Sequence, residues 1–276
     1  MSCPRCEHSE LFRTTPYLIH CTLPHSRQSG NLFVRKTPWV ELRLASTFDL
    51  PYGTLARLYY DNILTTAVKT QSPRVLVARN LSDLARVVGL ENPNGRELRR
   101  VKKQFFACLG ASWTIIPSVV EEDPKSGLID VKIENWRLHC EGAFKLDPKQ
   151  PDNLELYDLE VELCPGFWES VRARAAPFDM RALLALKGSS LAMDLYLWAN
   201  LKAPRLSKPE IFRYSWLMEQ FGAGYDPTTK QGRKNFKKRL DPQLRKVLTV
   251  WPDLRISPVE GGIELRPSKA HVRLIQ

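Results

Sequence analysis

The amino-acid sequence predicts an α+β protein built from two tandem units, each of which combines helices with a small antiparallel sheet. Its 276 residues suffice for two domains of ordinary size. Its composition, 43% hydrophobic and 26% charged, is that of a globular protein. The third observation is a repeat. A helix, a short helix, a turn, a basic helix and a β-hairpin are predicted twice in the same order.

The first unit opens with a polar and basic arm at residues 26–36. Short alternating runs predict weak strands at Asn31–Val34 and Trp39–Leu44, separated by Pro38. The segment TLARLYYDNILTTAVKT, residues 54–70, has apolar residues at helical spacing. This spacing predicts the first long helix.

A short helix is predicted before the first basic helix. Ser82 is expected to cap the short helix, which ends at Gly89, and the residues NPNG at 92–95 indicate a turn. The next segment, Arg96 to about Leu109, predicts a helix with one apolar and one basic face. The strands expected after it are Trp113–Val120, Leu128–Leu138 and Leu156–Leu163.

The second unit repeats this order. Residues 179–203 are expected to be helical with a break at Gly188, and Ile211–Phe221 to form a short helix. A basic helix follows the next turn. The chain then ends in two short strands within LRISPVEGGIELRP, joined by a tight turn at Glu260–Gly262.

The second basic helix begins at Lys230 and contains Asp241-Pro242. Proline in a helix interior costs about 3 kcal/mol, because it removes a hydrogen bond and clashes with the preceding turn. We therefore expect a kink or a restart at this point. The part of the helix that could read a DNA groove would then be Lys230–Arg239.

A short helix, a turn and a second helix, backed by a third helix and a hairpin, form the winged helix-turn-helix. Its second helix can enter the major groove of DNA, if cationic side chains occupy its outer face. A formal net charge of +11 also favours a phosphate-rich partner. The candidate DNA-binding residues are Arg96, Arg99, Arg100 and Lys103 in the first unit, and Lys230, Arg233, Lys234, Lys237, Lys238 and Arg239 in the second.

The alternative interpretation is that both helices only present solvated basic faces, since charge runs are weak evidence for a ligand. Two such helices in matched positions favour DNA. Binding to a membrane surface is disfavoured, because it requires an exposed apolar face, whereas these apolar faces are expected to pack in a core.

Four residues near the N-terminus match the zinc-finger-like spacing C-x2-C-x13-H-x4-H, namely Cys3, Cys6, His20 and His25. Pro24 lies between the two histidines, where a finger helix would have to continue. Glu10 occupies a position where an aromatic residue is expected. We therefore predict at most an accessory zinc clip, and no other cofactor.

The chain is expected in the cytosol. It has no run of about 18 apolar residues that could span a membrane, and it lacks the pattern of a secretory signal. In a reducing compartment Cys108, Cys140 and Cys164, which lie singly in apolar surroundings, are expected to be buried thiols.

Segments along both halves resemble, in order and spacing, the plasmid-encoded RepA family of replication initiator proteins. They are LPHSR (Leu23–Arg27), LPYGTLARLYY (Leu50–Tyr60), KTQSP (Lys69–Pro73), DMRALLALKGSSLAMDLYLW (Asp179–Trp198), QFGAGY, FKKRL, LRKVL, WPD and GIELRPS. The resemblance covers nearly everything from residue 23 onward. It predicts an extension at 1–25, a first winged-helix domain at 26–172 and a second at 173–276. Asp241-Pro242 departs from the smoother basic helix expected of the family.

The resemblance implies winged-helix units that bind repeated sites (iterons) at a plasmid origin. It implies origin melting by many bound copies and recruitment of the host's initiator and replicative helicase. For dimeric forms it also implies repression of the initiator's own promoter. A homodimer is a further expectation, since the strand-rich runs around Asp130–Glu134 and Leu156–Leu163 could serve dimerisation as well as wing contacts.

The sequence lacks the residues that a nickase or a P-loop ATPase would require. A rolling-circle nickase needs a metal-binding histidine pair and an active tyrosine, but His139 has no such partner, and Tyr59-Tyr60 fits core packing. The P-loop pattern G-x4-G-K-[ST] does not occur. We expect a non-catalytic binding protein, either an origin-binding initiator or a transcriptional repressor or general nucleic-acid module.

Overall fold

The computed structural model describes residues 11–37, 40–117, 134–146, 156–222 and 228–272 of the chain. The strands are β1 (Leu11–Thr14), β2 (Leu32–Lys36), β3 (Val40–Ser46), β4 (Arg74–Asn80), β5 (Ala111–Pro117), β6 (Glu134–Arg137), β7 (His139–Leu146), β8 (Leu156–Leu163), β9 (Ala176–Asp179), β10 (Glu210–Arg213), β11 (Ile256–Val259) and β12 (Gly262–Leu265). The helices are α1 (Pro16–His20), α2 (Gly53–Thr70), α3 (Leu81–Val87), α4 (Gly95–Leu109), α5 (Pro165–Arg174), α6 (Met180–Ala185), α7 (Ser190–Lys202), α8 (Tyr214–Phe221) and α9 (Lys230–Val250), with a 3₁₀ turn at Ala203–Arg205. The prediction of a mixed α+β chain with small antiparallel sheets is confirmed.

The first unit consists of α2, β4, α3 and α4, followed later in the chain by β7 and β8. Its three strands form an antiparallel sheet in the order β4–β8–β7. The long helix α2 packs on α4, and its side chains Leu58 and Ile63 are fully buried. Tyr60 also donates a hydrogen bond from its hydroxyl to the Cys108 carbonyl at 3.2 Å, which ties α2 to the end of α4.

A second sheet, in the order β2–β3–β5–β6, combines two strands that precede α2 in the chain with two strands that lie between α4 and β7. The predicted weak strands β2 and β3 are both present, and β5 pairs with β6 as the expected hairpin. Leu42, Leu44 and Trp113 anchor this sheet on the core. Residues 118–133, which include the predicted turn EEDPKSG and most of the predicted strand Leu128–Leu138, lie outside the described residues.

The second unit consists of α7, β10, α8, α9, β11 and β12, with a sheet in the order β10–β12–β11. Gly261 has a φ of +77° in the turn between β11 and β12, a conformation that favours glycine. At Gly262 a side chain would collide with the Phe212 carbonyl oxygen. This glycine therefore allows β12 to approach β10 closely.

Both units have the same topology. In each, a long helix leads to a strand, a short helix, a basic helix and two more strands. The strand before the short helix (β4 or β10) pairs with the last strand of the unit (β8 or β12). This last strand also pairs with the strand that precedes it in the chain (β7 or β11). The repeat that the sequence predicted is therefore present in three dimensions, with β7 and β8 rather than β5 and β6 as the counterpart of β11 and β12.

Residues 11–23 form part of the joint between the two units. Strand β1 pairs with β9 and also contacts α2, while α1 contacts α7. Ile19, Cys21 and Leu23 are buried in a core that includes residues of both units. Within its described residues, the segment that the sequence suggested as an extension is thus built into the fold, because it buries apolar side chains and forms hydrogen bonds with α2 and α8.

The predicted helix over Ile211–Phe221 is wrong in its first part. The chain forms the strand β10 up to Arg213 and becomes helical only at Tyr214. Ile211 and Phe212 pair with Glu264 and Ile263 of β12, so cross-strand hydrogen bonds override the helical spacing.

Two further details differ from the prediction. Asn80, and not Ser82, caps α3, since its side-chain oxygen accepts the Asp83 N–H at 2.8 Å. At Pro242 the predicted restart does not occur, since α9 is one helix up to Val250, whereas the alternative of a kink stays a prediction. Leu240 and Leu244 are both buried, so the turns before and after the proline are held by the same core, which offsets the lost hydrogen bond.

Candidate nucleic-acid interface

The helix α9 buries one face and presents a basic face to solvent. The Thr229 side chain caps it by accepting the Gly232 N–H at 3.0 Å. Phe236, Leu240 and Val247 are buried, and the helix packs on α7 and α8. Six predicted DNA-binding residues are all exposed on this helix: Lys230, Arg233, Lys234, Lys237, Lys238 and Arg239.

These six residues do not all point the same way. Helical geometry advances 100° per residue, which places Lys234 and Lys238 opposite the buried Phe236 and Leu240. Lys237 lies at the flank, with its Nζ 5.6 Å from the centre of the Tyr214 ring of α8. The Arg233 side chain points towards the residues before the helix, since its Nη1 donates a hydrogen bond to the Thr228 carbonyl at 3.1 Å. Among these six residues, the outermost cations are therefore Lys234 and Lys238.

Two amide side chains that the sequence reasoning missed share this outermost strip. Gln231 and Asn235 are exposed one turn apart, and Gln231 Nε2 donates to Asn235 Oδ1 at 2.7 Å. Their i, i+4 spacing between basic residues was the available signal.

The helix α4 has the corresponding construction in the first unit. Asn94 and Glu97 form a capping box at its start, with Asn94 Oδ1 accepting the Glu97 N–H at 3.0 Å and Glu97 Oε2 accepting the Asn94 N–H at 2.9 Å. Val101, Phe105 and Cys108 are buried. The four predicted residues Arg96, Arg99, Arg100 and Lys103 are exposed on the opposite side.

The sheet of the first unit has a different charge character from α4. Glu141 of β7 and Glu162 of β8 lie 3.8 and 2.9 Å from Arg74 of β4, so two carboxylates share one guanidinium. Glu160 adds a further negative charge on β8. Such a surface repels phosphate, and the basic helix is therefore the part of this unit that suits a polyanion.

A buried ion pair connects the two units behind these helices. Asp194 of α7 accepts two hydrogen bonds from Arg57 of α2, from Nε at 2.6 Å and from Nη2 at 2.8 Å. His25 Nε2 lies 2.8 Å from the same carboxylate. Arg57 also donates to the carbonyls of Leu23 and Gly53. The guanidinium thus holds together the loop before β2, the start of α2 and α7.

The charges in this cluster follow from burial and pairing. Burial alone would raise the pKa of Asp194, but Arg57 and His25 outweigh it and lower this pKa to about 2. Burial lowers the pKa of His25, and it raises the pKa of Asp61 on the neighbouring turn of α2 to about 7. Burial also lowers the pKa of Arg35 to about 10.

The predicted zinc site involves two residues that the structure describes. His20 ends α1, and His25 is bonded to Asp194, whereas Cys3 and Cys6 lie outside the described residues. Among the described residues, no group of three or more His, Cys, Asp or Glu side chains is arranged to hold a metal ion. The zinc clip therefore stays a prediction, in which a metal on His25 would compete with Asp194.

Two of the three expected thiols, Cys108 and Cys164, have side chains that the structure describes. Cys108 is buried, as predicted, and burial raises its pKa strongly, while Cys164 is half-buried. Cys21, which was not among the expected buried cysteines, is also fully buried. Of the helices in the described ranges, none combines the length and hydrophobicity that a membrane span requires.

Comparison with known proteins finds one family and a shared fold. Residues 50–217, more than half of the chain, match the family model described as plasmid encoded RepA protein. No curated protein matches the chain in sequence.

Two solved structures resemble this fold. A crystal structure of RctB domains 2 and 3 aligns with a TM-score of 0.53 at 12% identity, covering 90% of this chain and 94% of that one. A selenomethionine derivative of the same two domains aligns with a TM-score of 0.57 at 12% identity, covering 91% and 96%. Together with the family match, the two basic helices on a repeated scaffold lead to one conclusion: the chain belongs to the family of plasmid-encoded RepA replication initiators.

Proposed function

We propose that this chain initiates plasmid replication by binding repeated origin sites (iterons) as duplex DNA through two winged-helix units. The observation that carries the proposal is the duplicated topology, in which each unit presents an exposed basic helix after a short helix. This order, with a three-stranded sheet whose last strand lies in the middle, supports assigning each unit to the winged helix-turn-helix. The basic helices α4 and α9 are the parts that would enter the major groove.

The electrostatics support this proposal. Between residues 230 and 250 the helix α9 carries eight basic side chains and one acidic side chain. Lys and Arg that neutralise phosphates release counterions, so each such contact lowers the logarithm of affinity by about 0.9 per tenfold increase in salt. Arg side chains on both helices can also bind guanine in the major groove.

Two DNA-binding units in one chain bind neighbouring segments of a site together, because binding by one raises the local concentration of the other. In our proposal, many copies assembled on the repeats open the origin, and they recruit the host's initiator and replicative helicase. The chain itself catalyses no reaction and requires no cofactor, and it acts in the cytosol on plasmid DNA. A homodimer that represses the initiator's own promoter is part of the same proposal.

The proposal is tested by fluorescence anisotropy with a duplex that carries the direct repeats of the encoding replicon, against a scrambled duplex, at several salt concentrations. We expect specific binding with a steep salt dependence. Lys234→Ala and Lys238→Ala should each reduce the salt slope by about 0.9 for the lost phosphate contact. Arg99→Ala in α4 should also weaken binding and shorten the footprint on one side of the repeat.

Lys208→Ala is the matched control, because this exposed lysine lies in the turn before β10 and outside both basic helices. It should leave affinity and salt slope unchanged. Equal affinity of the wild-type protein for repeat and scrambled DNA would contradict the proposal. Loss of plasmid establishment in the same α9 variants, with the control replicating normally, would connect binding to initiation.

A further inference from the structure

The outer strip of α9 contains two uncharged side chains among its lysines. Gln231 and Asn235 lie one helical turn apart, and both are exposed. At 100° per residue Gln231 lies opposite the fully buried Leu240, and Asn235, 100° from Phe236 and 140° from Leu240, also points away from this buried face. A helix that enters a groove with its buried face against its own unit would therefore bring these two amides to the base edges.

The amide pair is already ordered. Gln231 Nε2 donates a hydrogen bond to Asn235 Oδ1 at 2.7 Å, which restricts the orientation of the Asn235 carboxamide. A carboxamide oxygen has two lone pairs, so Oδ1 can accept a second hydrogen bond while it keeps the first, and Nδ2 supplies donors. Asn235 can thus offer one acceptor and one donor side by side.

The helix α4 offers no such pair. The amide within it is Gln104, which is buried and accepts the Tyr52 N–H at 3.0 Å. Asn94, at its start, is committed to the capping box. The exposed residues of α4 considered above are cations, which suit phosphate and guanine. The two basic helices therefore differ in the bases that they can recognise.

In the major groove, adenine presents N7 as an acceptor and N6 as a donor, the pattern that a single carboxamide matches in a bidentate pair. We propose that Asn235 reads an adenine of the origin repeat, with Oδ1 accepting from N6 and Nδ2 donating to N7. Gln231 acts as the positioning residue that holds the Asn235 amide. This assignment rests on the proposed function, because it requires α9 to lie in the major groove.

The test replaces the adenines of the repeat duplex one at a time with 7-deazaadenine, which lacks the N7 acceptor. For the wild-type protein we expect a loss at one position, up to the about 5- to 150-fold that a complete bidentate pair contributes. Asn235→Ala should bind the natural repeat more weakly and should no longer respond to the substitution at that position. Gln231→Ala should weaken binding less and should retain part of the response.

Lys238→Ala is the matched control on the same strip. It should weaken binding to natural and substituted duplexes by the same factor and reduce the salt slope, while the response to 7-deazaadenine stays at the wild-type value. Asn235 is exposed, so its replacement leaves the fold intact, which circular dichroism can verify.

A failure of the proposed function and a failure of the Asn235 assignment give different results in this experiment. If the wild-type protein binds repeat and scrambled DNA equally, the proposed function fails and the adenine assignment fails with it. If binding is specific but Asn235→Ala responds to 7-deazaadenine at the same position as the wild-type protein, only the assignment of Asn235 is overturned. Loss of that response in Asn235→Ala, with its retention in Lys238→Ala, supports the assignment.

Discussion

Arg57 and Asp194 form a buried bidentate ion pair between α2 of one unit and α7 of the other. Both side chains are nearly inaccessible, at 5% and 6% exposure. Removing charges from water is costly, and a buried pair is maintained only when hydrogen bonds satisfy its remaining groups. Here the carbonyls of Leu23 and Gly53 and the His25 ring supply those bonds. This cluster therefore connects α2, α7 and the loop before β2 by hydrogen bonds.

Asp194→Asn should destabilise the protein by roughly 3–5 kcal/mol, because it leaves the Arg57 guanidinium buried without a counter-charge. Chemical unfolding followed by tryptophan fluorescence measures the change. The matched control is Asp49→Asn, which breaks the exposed pair with Arg27 and should cost less than about 1 kcal/mol. Equal effects of the two substitutions would contradict the role assigned to the buried pair.

The same pair should make stability depend on pH in the acid range. The pKa of Asp194 in the folded protein, about 2, is below the value of about 4 for an unfolded aspartate. The stabilisation is therefore complete above about pH 4 and is lost as the pH falls towards 2. We expect Asp194→Asn to lack this component of acid destabilisation, which unfolding curves at several pH values would show. An unchanged acid profile in this variant would count against the pairing.

At the scale of elements, the sequence predicted most helices correctly. The long helix at residues 54–70 and the interruption near Gly188 follow from apolar spacing and local breakers, which are local properties of the chain. The strand β10 was missed because its pairing partner, β12, lies about 50 residues later, and no local pattern records that contact. The strand β4 was not predicted for the same reason, since it depends on β8.

The site was predicted unevenly for a related reason. All ten basic residues proposed from the sequence are exposed, because an amphipathic pattern identifies the solvent side of a helix. The pattern does not show which exposed residues are turned towards neighbouring elements. The contact of Lys237 with the Tyr214 ring depends on the packing of α8, and only the structure reveals it.

The proline inside α9, Pro242, is expected to lower the stability of the protein. Replacement by Ala restores a backbone N–H inside a helix, where proline is about 3 kcal/mol less favourable than alanine. Part of this gain is offset because proline also restricts the unfolded chain. We expect Pro242→Ala to stabilise the protein by about 1–2 kcal/mol in chemical unfolding. Pro209→Ala, in an exposed turn, is the control and should change stability by less than about 0.5 kcal/mol.

A loss of stability in Pro242→Ala would show instead that α9 needs the proline in order to pack its buried face against the core. Measuring DNA affinity in the same variant separates the two possibilities further. A more stable helix with unchanged affinity would mean that the DNA-binding part ends before Pro242. Weaker binding would mean that Arg245 and Lys246, beyond the proline, depend on the direction that it gives to the helix.

At the scale of the whole molecule, one core extends through both units. Ile19 of α1 is 2% exposed, and its carbonyl is within 3.5 Å of Gln220 Nε2 of α8. The short helix α1 therefore contacts the second unit, although it precedes the first one in the chain. The two units are joined by more than the segment that connects them in sequence.

Ile19→Ala should consequently destabilise both units. Truncation of a buried isoleucine costs about 2–5 kcal/mol, depending on how far the cavity collapses. In hydrogen exchange, we expect α2 and α8 to lose protection together. Leu32→Ala is the control, because Leu32 is 60% exposed and its truncation should have little effect. Loss of protection restricted to one unit would contradict a shared core.

The pairing of β1 with β9 has a consequence for synthesis on the ribosome. Leu11 pairs with Asp179, so the first described strand leaves the exit tunnel long before its partner has been translated. At about 5–20 residues per second, β1 waits for roughly ten seconds or more. During that interval its backbone groups and Ile19 have no native partners in the second unit. The nascent chain therefore keeps β1 without its partner β9 until after β8, the last strand of the first unit, has been translated.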